Sequence, residues 1–416
     1  MKDRVVHMWD AGMPQAGRED AGYPQLESAE HVMIFDPTRE DGAYNHHPSI
    51  AHHGGRLHTF WSNHLSGEDG PGQRVLYSQS VDGRTWSAPT VLFEPPGPVT
   101  HWHGQGLVHT AAAAVVIDET LYAVALLHEN IGFTDFDRRL PPVPERDKEH
   151  PARARKGYSP VARAVGADGT FGPVFPLRDK LPPELPYPIT RPGAAGPEPQ
   201  DAGTTDPAVP APARIREAAA AIDAHFRTPL GLPRWDFEGE YGFPPAWDGH
   251  RIVEPVTYRR PDGGFTLLGR DSHYSHRMFV SEYDKAGAAW QPAEPTDIPD
   301  SPSLSCTLST AEGTVLLIGN QCAPEFDNPE QVQHYDRLPL TVSVSQDGRH
   351  FAGVRTIRTG RHDWSVPQTE VGGRSQGYQY PDACIVGDRV WVVHSIGKER
   401  IAVSSVELDE LMGEGV

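Results

Sequence analysis

The sequence predicts an all-β fold, a six- or seven-bladed β-propeller whose blades are four-stranded antiparallel sheets. Three observations support this prediction. Short runs of β-branched and aromatic residues recur between Gly, Asp or Asn, as in residues 56–61 and 390–393. The 416 residues include 41 Gly and 41 Pro, which is typical of many turns and few helices. A unit of about 50 residues also repeats along the chain, as propeller blades do.

The repeated unit has the order strand, Gly turn, strand, polar loop, strand, Asp-Gly turn, strand. It is clearest in SIAHHGGRLHTFWSNH and QRVLYSQSVDGRTWSAPTVLF, both within residues 49–93. Further copies begin at residues 109, 251, 303 and 378. Because each unit can form one blade and each blade packs on its neighbours, we expect a single propeller domain spanning residues 1–416.

The segment between the second and third units is less regular. A stretch rich in Pro, Ala and Gly, at about residues 190–213, predicts a loop insertion. Residues 214–226 favour one short helix. A degenerate blade in this segment, with N-terminal strands closing the ring, would bring the number of blades to six or seven.

Two turns share one motif, SVDGRTW at residues 80–86 and SQDGRHF at residues 345–351. The Asp carboxylate can accept backbone N–H bonds within such a turn, Gly can adopt its unusual backbone angles, and the aromatic residue can pack beneath the blade. Weaker copies lie at residues 167–171 and 281–290. We interpret these motifs as structural.

The turns resemble the Asp-box, or BNR repeat, of the sialidase-like β-propeller superfamily, and the resemblance covers most of residues 44–408. It implies the fold more strongly than an activity, because many chemistries share this fold. Sialidases carry an Arg-Ile-Pro element before the first blade and an arginine triad. The equivalent position here is Asn45-His46-His47-Pro48.

That His-His-Pro string belongs to a set with GEDGPGQR at residues 67–74, IGNQ at 318–321 and YQYP at 378–381. The set is similar to propeller enzymes acting on L-rhamnosyl-α-1,4-D-glucuronate, namely polysaccharide lyase family 42 and the related glycoside hydrolase family 145. Propeller ulvan lyases share the His-rich theme. The resemblance implies a carbohydrate-active enzyme, foremost a lyase that releases L-rhamnose by β-elimination.

Charge and composition restrict the partners. The formal net charge of −19 disfavours nucleic acid and anionic membranes, so an acidic oligosaccharide or polysaccharide would need a local group of Arg and His. No secretory signal or membrane-spanning stretch is evident, and Cys306, Cys322 and Cys384 have no metal-binding spacing. These features favour a cytoplasmic location, although a secreted protein trimmed of its signal would look the same.

Strand order separates the loops onto two faces of the propeller. Turns between the first and second strands, and between the third and fourth, lie on one face and are short here, as in His53-Gly54-Gly55 and Asp82-Gly83. Loops that enter the first strands or join the second and third strands lie on the other face. These loops are rich in His, Arg, Gln and Tyr. We therefore expect the functional site on this second face.

Candidate roles follow from β-elimination, which needs a base, an acid and groups that stabilise the carboxylate. We expect His47 and His64 to be base and acid, and Arg74 and Arg270 to hold the carboxylate. The substrate-binding candidates are His46, His103, His273, Gln321 and Tyr380.

Two other functions remain open. A rhamnosidase-like or sialidase-like hydrolase would present paired carboxylates, for which Asp69, Asp271 and Glu129 are candidates. A non-catalytic glycan-binding propeller is the further alternative. A metal is also left open, because His46-His47 and His101-x-His103 could contribute to a Zn²⁺ or Ca²⁺ site.

Overall fold

The computed structural model is an all-β fold built from short antiparallel strands. The described ranges are residues 5–65, 67–70, 72–96, 106–131, 154–181, 212–236, 240–245, 250, 252–271, 273, 275–327, 336–367 and 375–413. No helix among them is long and apolar enough to cross a membrane. The predicted loop insertion at about residues 190–213 lies almost entirely outside these ranges.

Blades 1 to 3 follow one another along the chain. Blade 1 contains β2 (Tyr44–His53), β3 (Arg56–His64), β4 (Arg74–Ser80) and β5 (Thr90–Phe93). Blade 2 contains β6 (Gly106–Ile117), β7 (Thr120–Ile131), β9 (Val161–Val165) and β10 (Phe175–Pro176), with β8 (Ala154–Gly157) also paired to β7. Blade 3 contains β11 (Ile252–Arg259), β12 (Phe265–Asp271) and β13 (Arg277–Asp284), whose outer edge pairs with β14 (Ala289–Trp290) and β15 (Glu294–Pro299).

Blades 4 and 5 complete the ring. Blade 4 contains β16 (Cys306–Ser309), β17 (Val315–Gly319), β18 (Leu340–Ser345) and β19 (Ala352–Arg358). Blade 5 contains β20 (Tyr378–Val386), β21 (Arg389–Ile396) and β22 (Arg400–Glu407), with β1 (Glu30–Phe35) as its outer strand. A short helix, Leu408–Met412, follows β22.

The N-terminal segment forms a belt, residues 5–35, around the outer edges of three blades. Val6 bridges to Thr296 at the edge of blade 3, and Gln25 bridges to Thr356 at the edge of blade 4. The belt ends as β1, which pairs with β22 in blade 5. The ring is thus closed by a strand from the start of the described chain, as the sequence suggested.

The expected number of six or seven blades is wrong, because the described residues form five. Helix α1 (Pro212–Phe226) and the residues after it occupy the interval between blades 2 and 3. We call residues 212–236 the wedge. The first strands of adjacent blades contact one another in the order β6, β2, β20, β16, β11. The wedge lies between the two ends of this series, where a degenerate blade was expected.

The wedge is stabilised by apolar contacts with both neighbouring blades. Ile215, Ile222 and Phe226 lie on one face of α1 and pack into the core of blade 2. Leu232 packs against that core and also against the core of blade 3. An amphipathic helix can therefore fill the space of a blade without providing strands.

After α1, the wedge enters the centre of the propeller. The Arg234 guanidinium donates to the Pro48 carbonyl at 2.9 Å and pairs with Asp382 at 3.1 Å. Asp382 also accepts the Ile50 N–H at 3.0 Å. Trp235 is buried with Leu304 and other residues of the inner strands. Arg234 thus connects the first strands of blades 1 and 5.

The Asp-box turns have the structural role that the motif predicts. One oxygen of Asp82 accepts the N–H groups of Arg84 and Thr85 at 2.8 and 2.7 Å, and the Ser80 hydroxyl at 3.0 Å. Gly83 has a φ of +69° and lies against the Trp391 ring, where a Cβ atom would overlap it at 2.0 Å. Both the backbone angle and the close ring therefore require glycine.

The Asp82 turn predicts a small pH dependence of stability. The N–H groups of Thr85 and Arg84, with the Ser80 hydroxyl, lower the pKa of Asp82 from 3.8 to about 2. A lowered folded-state pKa stabilises the protein above the ordinary pKa, and this contribution is lost as the pH falls from about 4 to 2. Asp82→Asn should lower Tm by about 1–2 °C at pH 7, because this carboxylate is exposed. The difference from the wild type should shrink towards pH 2 in thermal scans.

Asp388→Asn is a matched control for Asp82→Asn, because Asp388 is an exposed turn residue whose side chain has no hydrogen bond among the described atoms. If both variants behave alike across this pH range, the Asp82 turn is not the source of the effect.

The bonds of Arg234 predict a larger change in stability. Arg234→Ala should lower the free energy of unfolding by about 2 kcal/mol, because it leaves the partly buried Asp382 without its guanidinium partner. Urea titration gives this difference, and Arg234→Lys should recover part of it. The control is Arg216→Ala, at an exposed position of α1. Equal losses in Arg234→Ala and Arg216→Ala would contradict the bridging role of Arg234.

Candidate active site

Three first strands carry the same backbone irregularity near the predicted functional face. His47, Glu254 and Tyr380 have φ angles of +55°, +53° and +54°, and each precedes a proline. Each also lies within a register shift of its strand pair, as in a β-bulge. Left-handed angles are unfavourable for such side chains, so they persist only where the surrounding structure imposes them. The shared geometry brings three polar side chains of the candidate site together from blades 1, 3 and 5.

The centre of the site is a hydrogen-bonded group formed by Tyr380, Glu254 and Arg270. The Tyr380 hydroxyl donates a short hydrogen bond to one oxygen of Glu254. The other oxygen of Glu254 accepts from Arg270 at 2.9 Å, and the same guanidinium nitrogen lies 3.3 Å from the Tyr380 hydroxyl. Tyr380 and Glu254 are only 3% and 8% exposed, so these bonds form in a largely dehydrated environment.

The pKa values of Tyr380 and Glu254 shift in opposite directions. Burial, and then the Glu254 carboxylate, raise the pKa of Tyr380 well above its usual range, so the phenol is neutral at rest. Burial alone would raise the pKa of Glu254, but Arg270 and the phenol together lower it. Glu254 is therefore an ionised acceptor next to a phenol that still carries its proton.

The half-buried Arg337 and the buried Asp300 lie around this centre. The Arg337 guanidinium lies 5.4 Å from the centre of the Tyr380 ring and donates to the Gln379 side chain and the Pro302 carbonyl at 2.8 and 2.7 Å. Burial raises the pKa of Asp300 to about 7, against the opposing effect of Arg270 and Arg337. The site thus has two fixed cations and a carboxyl group that titrates near neutral pH.

Blade 1 adds a histidine pair beside Tyr380. The rings of His46 and His47 lie 4.1 and 5.2 Å from the Tyr380 ring, measured between centroids. His47 Nε2 lies 3.3 Å from Glu68, whose other oxygen accepts from the Lys398 ammonium at 2.6 Å. Burial, followed by the neighbouring His47, lowers the pKa of His46 well below 6.5, so His46 is neutral.

Trp235 of the wedge borders this histidine pair. Its ring meets the His47 ring edge-on, with centroids 5.0 Å apart. Trp235 also shares a buried apolar cluster with Tyr380. The segment that occupies the place of a blade therefore contributes directly to the wall of the site.

The structure brings together four of the predicted site residues, His46, His47, Arg270 and Tyr380. Others lie elsewhere on the same face. His64 accepts the Gly67 N–H at 3.1 Å and shapes its own loop. Arg74 donates to the Asn63 side chain at 2.8 Å and to the Asp41 carbonyl at 3.3 Å.

The remaining predicted residues also lie away from the Tyr380 group or cannot be placed. Gln321 is buried and bonds Thr341 and Ser305 within blade 4. The His273 side chain is 59% exposed next to Asp271. His101, His103 and the Glu129 side chain lie outside the described residues.

Asp69 lies beside the site, in contact with blade 2. It accepts from the Thr110 hydroxyl at 3.3 Å and lies 3.6 Å from His128. Asp69 and Glu254 are therefore not placed on the two sides of a substrate's glycosidic bond, as the paired carboxylates of a glycosidase are.

Sequence reasoning missed Glu254, Asp300 and the position of Arg337. A signal for Glu254 was present, because His47-Pro48, Glu254-Pro255 and Tyr380-Pro381 occupy equivalent positions in three first strands. Comparing the repeats at their X-Pro steps would have aligned these side chains. Asp300 and Arg337 precede strands in irregular loops and have no such marker.

A metal fits the histidine pair only in part. His46, His47 and Glu68 can each turn a ligand atom towards a common point, since these atoms lie within 4.8 Å of one another. However, the Lys398 ammonium already neutralises Glu68 at 2.6 Å, and a cation would compete with it. The donor set is therefore better suited to proton transfer than to holding Zn²⁺ or Ca²⁺.

Comparisons with known proteins agree with the fold. A model described as a BNR repeat-like domain matches residues 210–392, and a model for the N-terminal β-propeller of BT_1020-like proteins matches residues 35–182. A comparison with curated proteins finds no match.

Solved structures give similar matches over nearly the whole chain. A protein titled "Sialidase" is 18% identical, with a TM-score of 0.67 over 98% of this chain and 35% of its own. A Dyadobacter fermentans protein of unknown function is 13% identical, with a TM-score of 0.53 over 92% and 100% of the two chains. Trypanosoma rangeli sialidase with the inhibitor DANA is 11% identical, with a TM-score of 0.51 over 93% and 61%.

The chain thus spans about a third of the length of the first of these sialidases. At such low identities the likeness establishes the fold alone. The Asp-box turns, the matched BNR repeat-like domain and the four-stranded blades agree with one another. The chain therefore has a β-propeller fold, in which residues 210–392 match a BNR repeat-like domain.

Proposed function

We propose that the protein is a retaining glycosidase that acts on a glycan bearing a carboxylate, with Tyr380 as nucleophile and Glu254 as its base. The observation that carries this proposal is the buried hydrogen-bonded group of Tyr380, Glu254 and Arg270. A phenol with a strongly raised pKa reacts only if a neighbouring base takes its proton, and the ionised Glu254 is in position to do so.

A phenol nucleophile suits an anionic substrate. Most retaining glycosidases attack with a carboxylate, but a carboxylate would repel a negatively charged sugar. Tyr380 is neutral until it reacts. Its proton moves to Glu254 as the oxygen attacks, so the attacking oxygen does not bring a full negative charge next to the substrate carboxylate.

Cations at the site would hold the substrate carboxylate. The chain as a whole carries −19 charges, yet Arg270, Arg337 and Lys398 surround Tyr380 and the histidine pair. Arg270 and Lys398 compensate Glu254 and Glu68, so the positive charge for an anionic ligand would come chiefly from Arg337, which donates to the neutral Gln379 side chain and Pro302 carbonyl. The titles of the similar structures point to sialic acid chemistry in those proteins, which agrees with an acidic sugar as the substrate class here.

The reaction then has two steps. The Tyr380 oxygen bonds to the anomeric carbon, its proton passes to Glu254, and the bond to the leaving oxygen breaks as His47 donates a proton to that oxygen. In the second step His47 takes a proton from water, the water oxygen attacks the anomeric carbon, and Tyr380 leaves and recovers its proton from Glu254. Glu68, 3.3 Å from His47, stabilises the imidazolium.

A lyase is the second candidate. The His47 ring lies 5.2 Å from the Tyr380 ring, and these two groups could act as base and acid in β-elimination from a uronate, with Arg270 stabilising the carboxylate. The substrate would be L-rhamnosyl-α-1,4-D-glucuronate, as the sequence motifs suggest. We rank this function second because the Tyr380–Glu254 bond is better suited to activating a nucleophile.

The nucleophile assignment predicts distinct kinetic losses. The substrate is an acidic oligosaccharide that the wild-type protein cleaves. With it, Tyr380→Phe should lower kcat by at least about 10³-fold, and Glu254→Gln should lower kcat by about 10²-fold. The KM should change little, because Arg270 and Arg337 remain. The control is Tyr283→Phe, on the outer part of blade 3. Full activity of Tyr380→Phe would exclude Tyr380 as nucleophile.

The products distinguish the candidate reactions. We expect sialylated, glucuronylated and rhamnosyl-glucuronate oligosaccharides, tested as a panel, to give saturated sugars with retained anomeric configuration by NMR. An unsaturated uronate, detected by its ultraviolet absorbance, would replace the hydrolase proposal with the lyase. Binding without turnover of any member would favour a glycan-binding propeller.

A further inference from the structure

A second group of metal-binding side chains lies on blade 3, separate from the Tyr380 group. It contains His250, Asp271 and His273, and one ligand atom from each lies within 4.8 Å of the other two. His250 Nδ1 lies 3.0 Å from one oxygen of Asp271, and His273 Nδ1 lies 3.8 Å from the other. Two imidazoles therefore converge on one carboxylate.

The separations suit a transition metal. With Zn–N and Zn–O bonds of about 2.0–2.2 Å, neighbouring ligand atoms in a tetrahedral site lie about 3.4 Å apart. The separations of 3.0 and 3.8 Å, which involve the two different oxygens of Asp271, each differ from this value by only about 0.4 Å. Because the His273 side chain is 59% exposed, its ring can rotate to adjust the longer distance without disturbing the blade.

The carboxylate is held in place by the backbone. Asp271 accepts the His273 N–H at 3.0 Å with one oxygen and the Ser275 N–H at 3.1 Å with the other. The His250 ring is stacked on Phe279, with centroids 5.3 Å apart and an interplanar angle of 29°. Two of the three ligands are therefore preorganised, as outer contacts usually achieve in metal sites.

The charge balance also points to a cation. The Asp271 side chain is 1% exposed. Within the described ranges, the side chains within ion-pair distance of Asp271 are those of these two histidines. A buried carboxylate is favoured when a positive charge lies beside it, and a divalent metal would provide that charge.

We propose that His250, Asp271 and His273 bind one Zn²⁺-class transition metal ion, with a water molecule as fourth ligand. Nitrogen ligands favour Zn²⁺ over Ca²⁺ and Mg²⁺. Successive strand residues point in opposite directions, so Asp271 faces this site while Arg270 faces Glu254. The ion fixes the end of β12 at the residue next to Arg270, and it takes no part in the chemistry at Tyr380.

The test is metal binding by untagged full-length protein that has been stripped with a chelator. Calorimetry with Zn²⁺ should show one binding site in the wild-type protein. His250→Ala and His273→Ala should each weaken this binding at least about tenfold, and the double variant should abolish it. Added Co²⁺ should give the visible absorption of a four-coordinate ion. This absorption should disappear in the double variant.

Two control variants test whether Zn²⁺ binding is specific to this group of side chains. His52→Ala, at an exposed position in blade 1, and His47→Ala, in the other His-rich group, should retain this binding. Circular dichroism should show that all four single variants are folded. The proposal is wrong if Zn²⁺ does not bind, if the double variant binds as the wild type does, or if only His47→Ala abolishes binding. None of these measurements depends on glycosidase activity.

Discussion

The central constraint in this molecule is the buried negative charge of Glu254. A carboxylate that is 8% exposed must be compensated, and the compensation comes from Arg270 on the adjacent strand and from the Tyr380 hydroxyl two blades away along the ring. Neither partner alone would suffice, because removal of one leaves the others unsatisfied. The centre of the propeller is therefore arranged around the hydrogen-bonded pair of Tyr380 and Glu254.

Backbone strain near the axis positions this pair. His47, Glu254 and Tyr380 have left-handed angles on three different first strands, and prolines follow all three. The strain is sustained by the surrounding sheets and by the wedge, whose Arg234 bonds the Pro48 carbonyl immediately after His47. Since Trp235 packs against His47 and Tyr380, a non-blade segment both fills the interval between blades 2 and 3 and forms part of the wall of the site. Fold irregularity and chemistry thus occur at the same positions.

Much of this arrangement could be predicted from the sequence, for identifiable reasons. The Asp82 and Asp347 turns have a local signature because one side chain satisfies its own loop. Strand order predicted that His47, Arg270 and Tyr380 share one face, and the structure brings these three residues together; their functional role stays a prediction. Glu254 was missed because a Glu-Pro step within an apolar strand is also typical of an ordinary edge strand of a sheet. The blade number was wrong because α1, an amphipathic helix, fills a blade-sized interval that contains no strand pattern.

The belt has a consequence for how the protein is made. Glu30 in β1 pairs with Ser405 in β22, so the outer edge of blade 5 joins residues from nearly opposite ends of the sequence. During synthesis, β1 has no partner strand until β22 has left the ribosome, and its edge stays open to other strands meanwhile. Blade 5 also provides Tyr380 and Lys398. The Tyr380 group can therefore be complete only after blade 5 has formed, and the growing chain stays exposed to aggregation until then.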